Sequence, residues 1–273
     1  MSELSRGEFD ERVARYEAGT ATADDLSALE PYRVKRAILL ASGFGSRMVP
    51  ITLNTPKPLV NVNGTRIIET ILDALLGIGV TEIYIVTGYL KEQFTLLKDR
   101  YPMVTILENP IYATTNNLSS ACVAAEHFSN AYVFESDLYL TNPSVLTAYN
   151  YESHYFGVPV EQTPDWCFDT EDGVITDLHK GGVNCYHMFG ISYWSREDGA
   201  RLAEDLPACF DEDDETKQRF WDDVPCVIRR DRYELHIKEC AFSDIDEIDS
   251  FAELQQIDPR YRIDGSPAGS SAQ

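Results

Sequence analysis

The sequence predicts an α/β protein, a mostly parallel sheet covered by helices on both faces and followed by a more β-rich second half. Three observations predict it. Short apolar runs such as "AILLAS" (Ala37 to Ser42) lead straight into glycine, as buried parallel strands do. Segments with helical spacing of apolar residues lie between those runs. From Arg36 to Asp137 the two kinds of segment alternate, which is the order of repeated βα units and of a Rossmann-like sheet.

Taken in order, residues 1–34 read as an N-terminal helical extension. Phe9, Val13 and Tyr16 fall at helical spacing, and "TADD" (Thr22 to Asp25) is placed to cap a second short helix carrying Leu26 and Leu29. The pair suits a packing element or the contact of a homodimer. A DNA-reading helix pair is the other reading, and its acidic residues argue against it. The main domain is expected over 35–257, with a nucleotide-binding half at 35–150 and an acceptor-binding half at 151–257.

Within the first half, "RIIETILDALLGIGV" puts Ile67, Ile68, Ile71, Leu72, Leu75 and Leu76 on one helical face and stops near Gly77 and Gly79. "EIYIVTG" reads as strand, "YLKEQFTLLKDRY" as helix, "MVTILEN" as strand, "NNLSSACVAAEHF" as helix and "NAYVFESD" as strand. The second half offers "SHYFGVPVE", "WCFDTEDGVITDL", "NCYHMFGISYW" and "RYELHIKEC" as strands, with two helices between the last two. Residues 258–273 end in the small, polar "DGSPAGSSAQ" and are expected to form a flexible tail.

Bulk properties narrow the function. A formal net charge of −22 disfavours broad contact with nucleic acid or anionic lipid, so neither is expected as a partner. No apolar run reaches membrane-spanning length and "MSELSRGEFDER" lacks the apolar core of a signal peptide, so a cytoplasmic location is expected. The six cysteines form no C-x-x-C pair and the five histidines flank no nucleophile motif, so both sets read as structural.

Against that acidic background, "LLASGFGSRMVPITLNTPKPLV" (Leu39 to Val60) gathers glycines, Arg47 and a proline-flanked Lys57. A dinucleotide fingerprint fails because Met48 stands where its third glycine belongs, and a P-loop fails for want of G-K-[ST]. The physics still favours a polyphosphate. Gly43 and Gly45 let backbone N–H groups approach phosphate oxygens, Arg47 supplies a planar fork, and Pro56 and Pro58 hold the chain around Lys57 extended. In a parallel sheet this run and Asp137, each after a strand, face one crevice at the strands' carboxyl ends.

The run G-x-G-[ST]-R, P-x-T, T-P-K-P-L resembles the signature of the nucleotidyltransferase (sugar-phosphate pyrophosphorylase) superfamily. Further along, "IYIVTGYLKEQF" (Ile83 to Phe94), "IYATTNNLSS" (Ile111 to Ser120), "FESD" (Phe134 to Asp137), "RFWDD" (Arg219 to Asp223) and "IDEIDS" (Ile245 to Ser250) resemble, in order, the bacterial choline-phosphate cytidylyltransferases. The similarity covers roughly 35–257. It implies that CTP and a small phosphorylated amino-alcohol react with Mg²⁺ present, giving a CDP-linked product and pyrophosphate. Phosphocholine is the leading acceptor; 2-aminoethylphosphonate, phosphoethanolamine and a sugar 1-phosphate are alternatives, and a nucleotide sensor without catalysis is a reading from another class.

By that resemblance Asp137, Asp249 and Glu247 hold the metal, although the first acidic motif reads Glu135-Ser136-Asp137 where D-x-D is frequent. Lys57 steadies the α-phosphate and Arg47 the β- and γ-phosphates. The loop Ala41, Ser42, Gly43, Phe44 and Gly45 wraps triphosphate and ribose, and Gly88 and Tyr89 read the base. Asn116 and Asn117 are either amide contacts to base or ribose, or helix caps. Trp166, Trp221 and Asp222 match positions where a cage for quaternary ammonium is expected, with Phe220, Tyr193 or Trp194 as a further wall. The competing reading makes those aromatics core.

Overall fold

The computed structural model describes residues 4–262. Two helices open it, α1 (Arg6–Glu17) and α2 (Ala23–Leu29), each closed at its start by a reciprocal capping box, Ser5 with Glu8 and Thr22 with Asp25. Asp25 also receives Arg12 and Arg15 from α1, which clips the two helices together. Burial pays for their docking: Phe9 and Leu29 pack with Tyr149 of the main domain.

The chain continues as β1 (Arg36–Ala41), the small hairpin β2 (Asn61–Val62) and β3 (Thr65–Arg66), α3 (Ile67–Gly77), β4 (Glu82–Thr87) and β5 (Val104–Glu108). Next come α4 (Leu118–Val123), β6 (Ala131–Glu135), β7 (Leu138–Leu140), β8 (His154–Glu171) and β9 (Val174–Trp194). After α5 (Arg196–Phe210) follow β10 (His236–Glu239), β11 (Ile245–Glu247) and α6 (Phe251–Ile257).

Seven strands form one sheet in the order β10-β8-β9-β6-β1-β4-β5. Pairings β1–β4, β1–β6, β4–β5 and β8–β10 are parallel; β9 is antiparallel to both β6 and β8, so it alone runs against the rest. Alternation along β1 explains the layering. Ala37, Leu39 and Ala41 face α3 through Ile68, Ile71, Leu72 and Leu75, whereas Ile38 and Leu40 face Leu118 and Ala121 of α4 and Leu202 and Leu206 of α5. Each fully buried Leu or Ile side chain among them contributes about 2 kcal/mol. A third cluster of Met48, Val60, Val62, Ile67, Ile248 and Leu254 ties α6 beneath the glycine-rich loop.

Several expected elements differ. Residues Lys91–Asp99 wind as 3₁₀ turns instead of an α-helix, and burial of Phe94 and Leu97 fixes them in place. The three expected strands between Ser153 and Trp194 merge into one long hairpin, β8–β9, whose register shifts near Thr163 and Cys167 bend it. Of two helices expected before β10, only α5 forms; Thr216–Gln218, Val224–Ile228 and Arg230–Arg232 are single turns. The expected tail begins too early: Asp258 is buried and accepts the Asn63 N–H at 2.8 Å. Residues 263–273 of that tail lie outside the described residues.

Candidate active site

Two cavities open at the carboxyl ends of β1 and β6 and share a wall. The first, about 360 Å³, is lined by the glycine-rich loop from Leu40 to Arg47, by Lys57, Tyr112, Thr115, Asn116 and Asn117, and by the end of β6. The second, about 320 Å³, lies under the β8–β9 hairpin and takes its lining chiefly from Asp165, Trp166, Lys180, Phe220, Asp222 and Asp223. Arg47, Glu135, Asp137 and Asp249 border both. Groups bound on the two sides would meet at that wall.

The loop is held from behind. Gly45 adopts φ +61°, and a Cβ there would press on Lys57 Cβ at 3.0 Å and Thr52 Cγ2 at 3.1 Å. Thr52 Oγ1 donates to Gly45 O at 2.8 Å, and Ser42 Oγ meets Ser120 Oγ at 2.6 Å beneath the loop. Asn109 donates to Ser119 and Ser120, extending that buried polar net.

Lys57 is the buried centre of charge. It starts a 3₁₀ turn (Lys57–Leu59) between Pro56 and Pro58, where an extended segment was expected. Its Nζ donates to Asp137 Oδ2 and Asp249 Oδ1, each at 2.9 Å. Burial alone would pull its pKa down, but the two carboxylates outweigh it and the ammonium is held above its ordinary value. Arg47 grips Asp249 through both oxygens, at 2.7 and 2.9 Å. For Asp249 burial pushes upward, and Lys57 and Arg47 together carry the carboxyl below its usual range.

Carboxylates outnumber these cations. Asp137, Glu247 and Asp249 each offer an oxygen within 4.8 Å of the others. Desolvation, then the charges of Asp137 and Asp249, push Glu247 up to about 8. Burial, then Asp137, drives Glu135 well above the carboxylate range. Asp137 Oδ1 is buried with no hydrogen-bond partner among the described residues.

Residues 37–151 match the MobA-like NTP transferase domain. Over 229 residues the chain is 41% identical to a 2-aminoethylphosphonate cytidylyltransferase of Lancefieldella rimae, covering 82% of this chain and 92% of that one. The chain belongs to the cytidylyltransferases. It is 31% identical over 230 residues to the choline-phosphate cytidylyltransferase of Streptococcus pneumoniae, covering 81% of this chain and 97% of the relative. The solved CTP:phosphocholine cytidylyltransferase from Streptococcus pneumoniae superposes with a TM-score of 0.76 at 30% identity, over 84% of this chain and all of that one.

In this cytidylyltransferase the expected residues separate into those that line the cleft and those that do not. Ala41 to Gly45, Arg47, Lys57, Asn116, Asn117, Asp137 and Asp249 line the first cavity. Trp166, Asp222 and Glu247 line the second. Trp221 does not: it is buried against Phe128, Tyr155 and Trp194, and its neighbour Phe220 faces the cavity instead. Tyr193 and Trp194, offered as a further wall, are core residues with 1% and 0% exposure. The aromatic part of the cavity is therefore the Trp166–Phe220 corner, with rings 5.7 Å apart at 71°.

Gly88 and Tyr89 also stand behind the lining. Tyr89 packs on Phe44 and donates from its hydroxyl to Thr52 O, bracing the loop. A Cβ on Gly88 would lie 2.5 Å from Tyr112 and 2.9 Å from the Ser42 carbonyl. Gly88→Ala is therefore expected to raise the KM for CTP by about tenfold or more, by displacing Tyr112 and the loop together. Initial rates against CTP concentration read this directly; an unchanged KM would mean the two segments yield without cost.

The two asparagines are spoken for by protein. Asn116 donates to Gln218 O at 3.0 Å and Asn117 donates to Glu135 at 3.1 Å while accepting the Trp221 N–H at 2.9 Å. They fasten the turn carrying Phe220 and Asp222 to the end of β6. Residues that sequence reasoning missed are Tyr112 and Thr115 in the first cavity, and Asp165 and Lys180 in the second. Tyr112 lies within "IYATTNNLSS" itself. Lys180 pairs with Trp166 across the hairpin, a register that no local pattern discloses.

Proposed function

We propose that this enzyme transfers the cytidylyl group of CTP to 2-aminoethylphosphonate, releasing pyrophosphate. The observation that carries the choice of acceptor is the second cavity's lining, rich in carboxylates and poor in aromatic faces. A primary ammonium seeks hydrogen-bond acceptors, which Asp165, Asp222 and Asp223 supply. A quaternary ammonium seeks an aromatic box, and two rings at an edge-to-face corner make only part of one. The most extensive identity given above, to a 2-aminoethylphosphonate cytidylyltransferase, supports the same reading. Phosphocholine is the second reading, supported by that aromatic corner and by the choline-phosphate relative.

The first cavity would take CTP, with the triphosphate against the loop and Lys57. An oxygen of the acceptor's phosphonate attacks the α-phosphorus from the second cavity. The new P–O bond forms as the bond to the β-phosphate oxygen breaks, and pyrophosphate carries the electron pair away. Such an acceptor is already anionic, so no histidine base is needed. Lys57 keeps a full positive charge beside the α-phosphate, where negative charge redistributes. Asp137, Asp249 and Glu247 would hold Mg²⁺, and the unpartnered Asp137 oxygen together with the surplus of carboxylate fits a small hard cation. Bound there, the ion would neutralise phosphate charge.

Asp222 would receive the acceptor's ammonium. Burial, with the Asp223 charge adding to it, pushes this carboxyl up to about 7, while the Tyr155 hydroxyl at 2.8 Å pulls the other way. Above that pH the group is anionic; below it, neutral. Acceptor binding should thus weaken as pH falls through 7. Asp222→Asn should raise the acceptor KM by about 10- to 100-fold at pH 8, with a smaller effect at pH 6. Equal effects at both pH values would remove Asp222 from this role.

The deciding assay is pyrophosphate release with Mg²⁺, crossing the four NTPs with 2-aminoethylphosphonate, phosphocholine, phosphoethanolamine and glucose 1-phosphate. The proposal expects the highest kcat/KM with CTP and 2-aminoethylphosphonate. A preference for phosphocholine would overturn the choice of acceptor and leave the chemistry standing.

A further inference from the structure

Asn117 stands at the start of α4, yet among the described residues its side chain makes no capping bond to that helix. An asparagine in this place ordinarily satisfies one of the helix's orphan N–H groups. Here the amide reaches away from the helix instead. Nδ2 donates to Glu135 at 3.1 Å, and Oδ1 accepts the Trp221 N–H at 2.9 Å. The first turn closes on the Asn117 carbonyl, which takes the Ser120 and Ala121 N–H groups.

The segment so held carries the acceptor side of the cleft. Phe220 and Asp222 line the second cavity, and Trp221 between them packs inward on Phe128, Tyr155 and Trp194. Further back, the two segments are joined by Asn116 N–H to Lys217 O and Asn116 Nδ2 to Gln218 O, each at 3.0 Å. Gln218 Nε2 returns to Thr114 O at 2.9 Å. Those bonds stop short of Phe220. The peptide N–H between Phe220 and Trp221 is held by Asn117 Oδ1. Because a peptide is planar, fixing that N–H fixes how the chain leaves Phe220 and enters Trp221. Beyond it, the Tyr155 hydroxyl donates to Asp222 Oδ1 at 2.8 Å. Loss of the Asn117 bond leaves an unpaired N–H at the turn and loosens the placement of Phe220 and Asp222.

We propose that Asn117 is a positioning residue for the acceptor, although its side chain lines the nucleotide cavity. It sets where Phe220 and Asp222 face the acceptor, and it contributes little to holding CTP. The proposal rests on the reading of the second cavity as the acceptor's and of Asp222 as the partner of its ammonium. A hydrogen bond weakens steeply once its partner is turned away, so a small misplacement of Asp222 is felt in acceptor binding.

Initial rates of pyrophosphate release by Asn117→Ala test this with 2-aminoethylphosphonate and with ethylphosphonate, which has no ammonium for Asp222 to receive. The expected result is a KM for 2-aminoethylphosphonate raised about tenfold, with those for CTP and ethylphosphonate each within about twofold of the parent's. A CTP KM raised as much as the acceptor's, an ethylphosphonate KM raised as much as that of 2-aminoethylphosphonate, or three unchanged constants would overturn the proposal. Should Asn117→Ala not fold, Asn117→Ser takes its place, since the shorter hydroxyl cannot span both Glu135 and the Trp221 N–H. The parent enzyme tells the two readings apart. A parent that prefers phosphocholine loses the choice of acceptor alone, and the same comparison then runs between phosphocholine and its uncharged isostere 3,3-dimethylbutyl phosphate. A parent indifferent to the acceptor's cation would overturn the role of Asp222 and this proposal with it.

Discussion

Lys57→Met is expected to lower kcat by about 10²- to 10³-fold, with a smaller change in the KM for CTP. The ammonium is buried, and Asp137 and Asp249 fix its position from two sides, so no neighbouring cation replaces it. Arg47 is the nearest alternative, and it is exposed and already engaged with Asp249. The substitution also strands two carboxylates. Removing one partner of a buried pair costs about 3 kcal/mol of stability near neutral pH.

The pH dependence of that loss has a definite sign. A lysine whose pKa is raised by folding stabilises fully at pH values below its ordinary one, so its whole contribution is present at pH 7. Asp249, held below its usual range, stabilises above that range and loses its contribution as pH falls. The gap in Tm between Lys57→Met and the parent should therefore keep its full width from pH 8 down to about pH 4 and narrow only as pH falls further. Thermal melts from pH 8 to below about pH 4 test it. A gap that stays constant throughout would mean that the lysine acts through packing of its methylenes and not through charge.

Asp137→Asn is the second large expectation, with kcat lowered by about a thousandfold or more. Here turnover and stability part company. The substitution keeps an oxygen for Lys57 and removes one negative charge from a crowded group, so the Tm of the ligand-free protein should hold or rise. Glu247 should then titrate below its present value of about 8, since the Asp137 charge is among its causes. Full activity in Asp137→Asn would dismantle the proposed metal site. A fall in Tm as large as that of Lys57→Met would instead assign Asp137 a structural part.

What the sequence disclosed follows physical rules of different reach. Parallel strands buried on both faces leave continuous apolar runs, so β1, β4 and β6 were legible, and with them the crevice that holds Lys57 and Asp137. Thr22 announced a helix start because capping is a local bargain among four residues. The acceptor side was harder. Phe220 and Trp221 are adjacent in a turn with no period, and only the packed structure decides that the tryptophan goes inward and the phenylalanine faces the cavity. Lys180 depends on a hairpin whose register slips between Thr163 and Trp166, so counting along the strand misplaces it. Gly88 was expected to read the base, whereas in the structure it stands behind the lining and makes room for Tyr112.

The double grip of Asp249 on Arg47 and Lys57 has a consequence for how the cleft receives its nucleotide. Under the proposed function, the two cations meant for phosphate are stored on the protein's own acids, as a loaded ion exchanger stores its counter-ions. An incoming triphosphate trades places with a resident carboxylate and meets no bare positive charge. Stray anions find little to attract them, because a single charge cannot displace a partner already held in two-point contact. Only a ligand that brings several negative charges at once, and a cation to satisfy the acids it frees, makes the exchange favourable. On the proposed reading, selection for a metal-bearing polyphosphate is thus written into the pairing of Arg47 and Lys57 with Asp249.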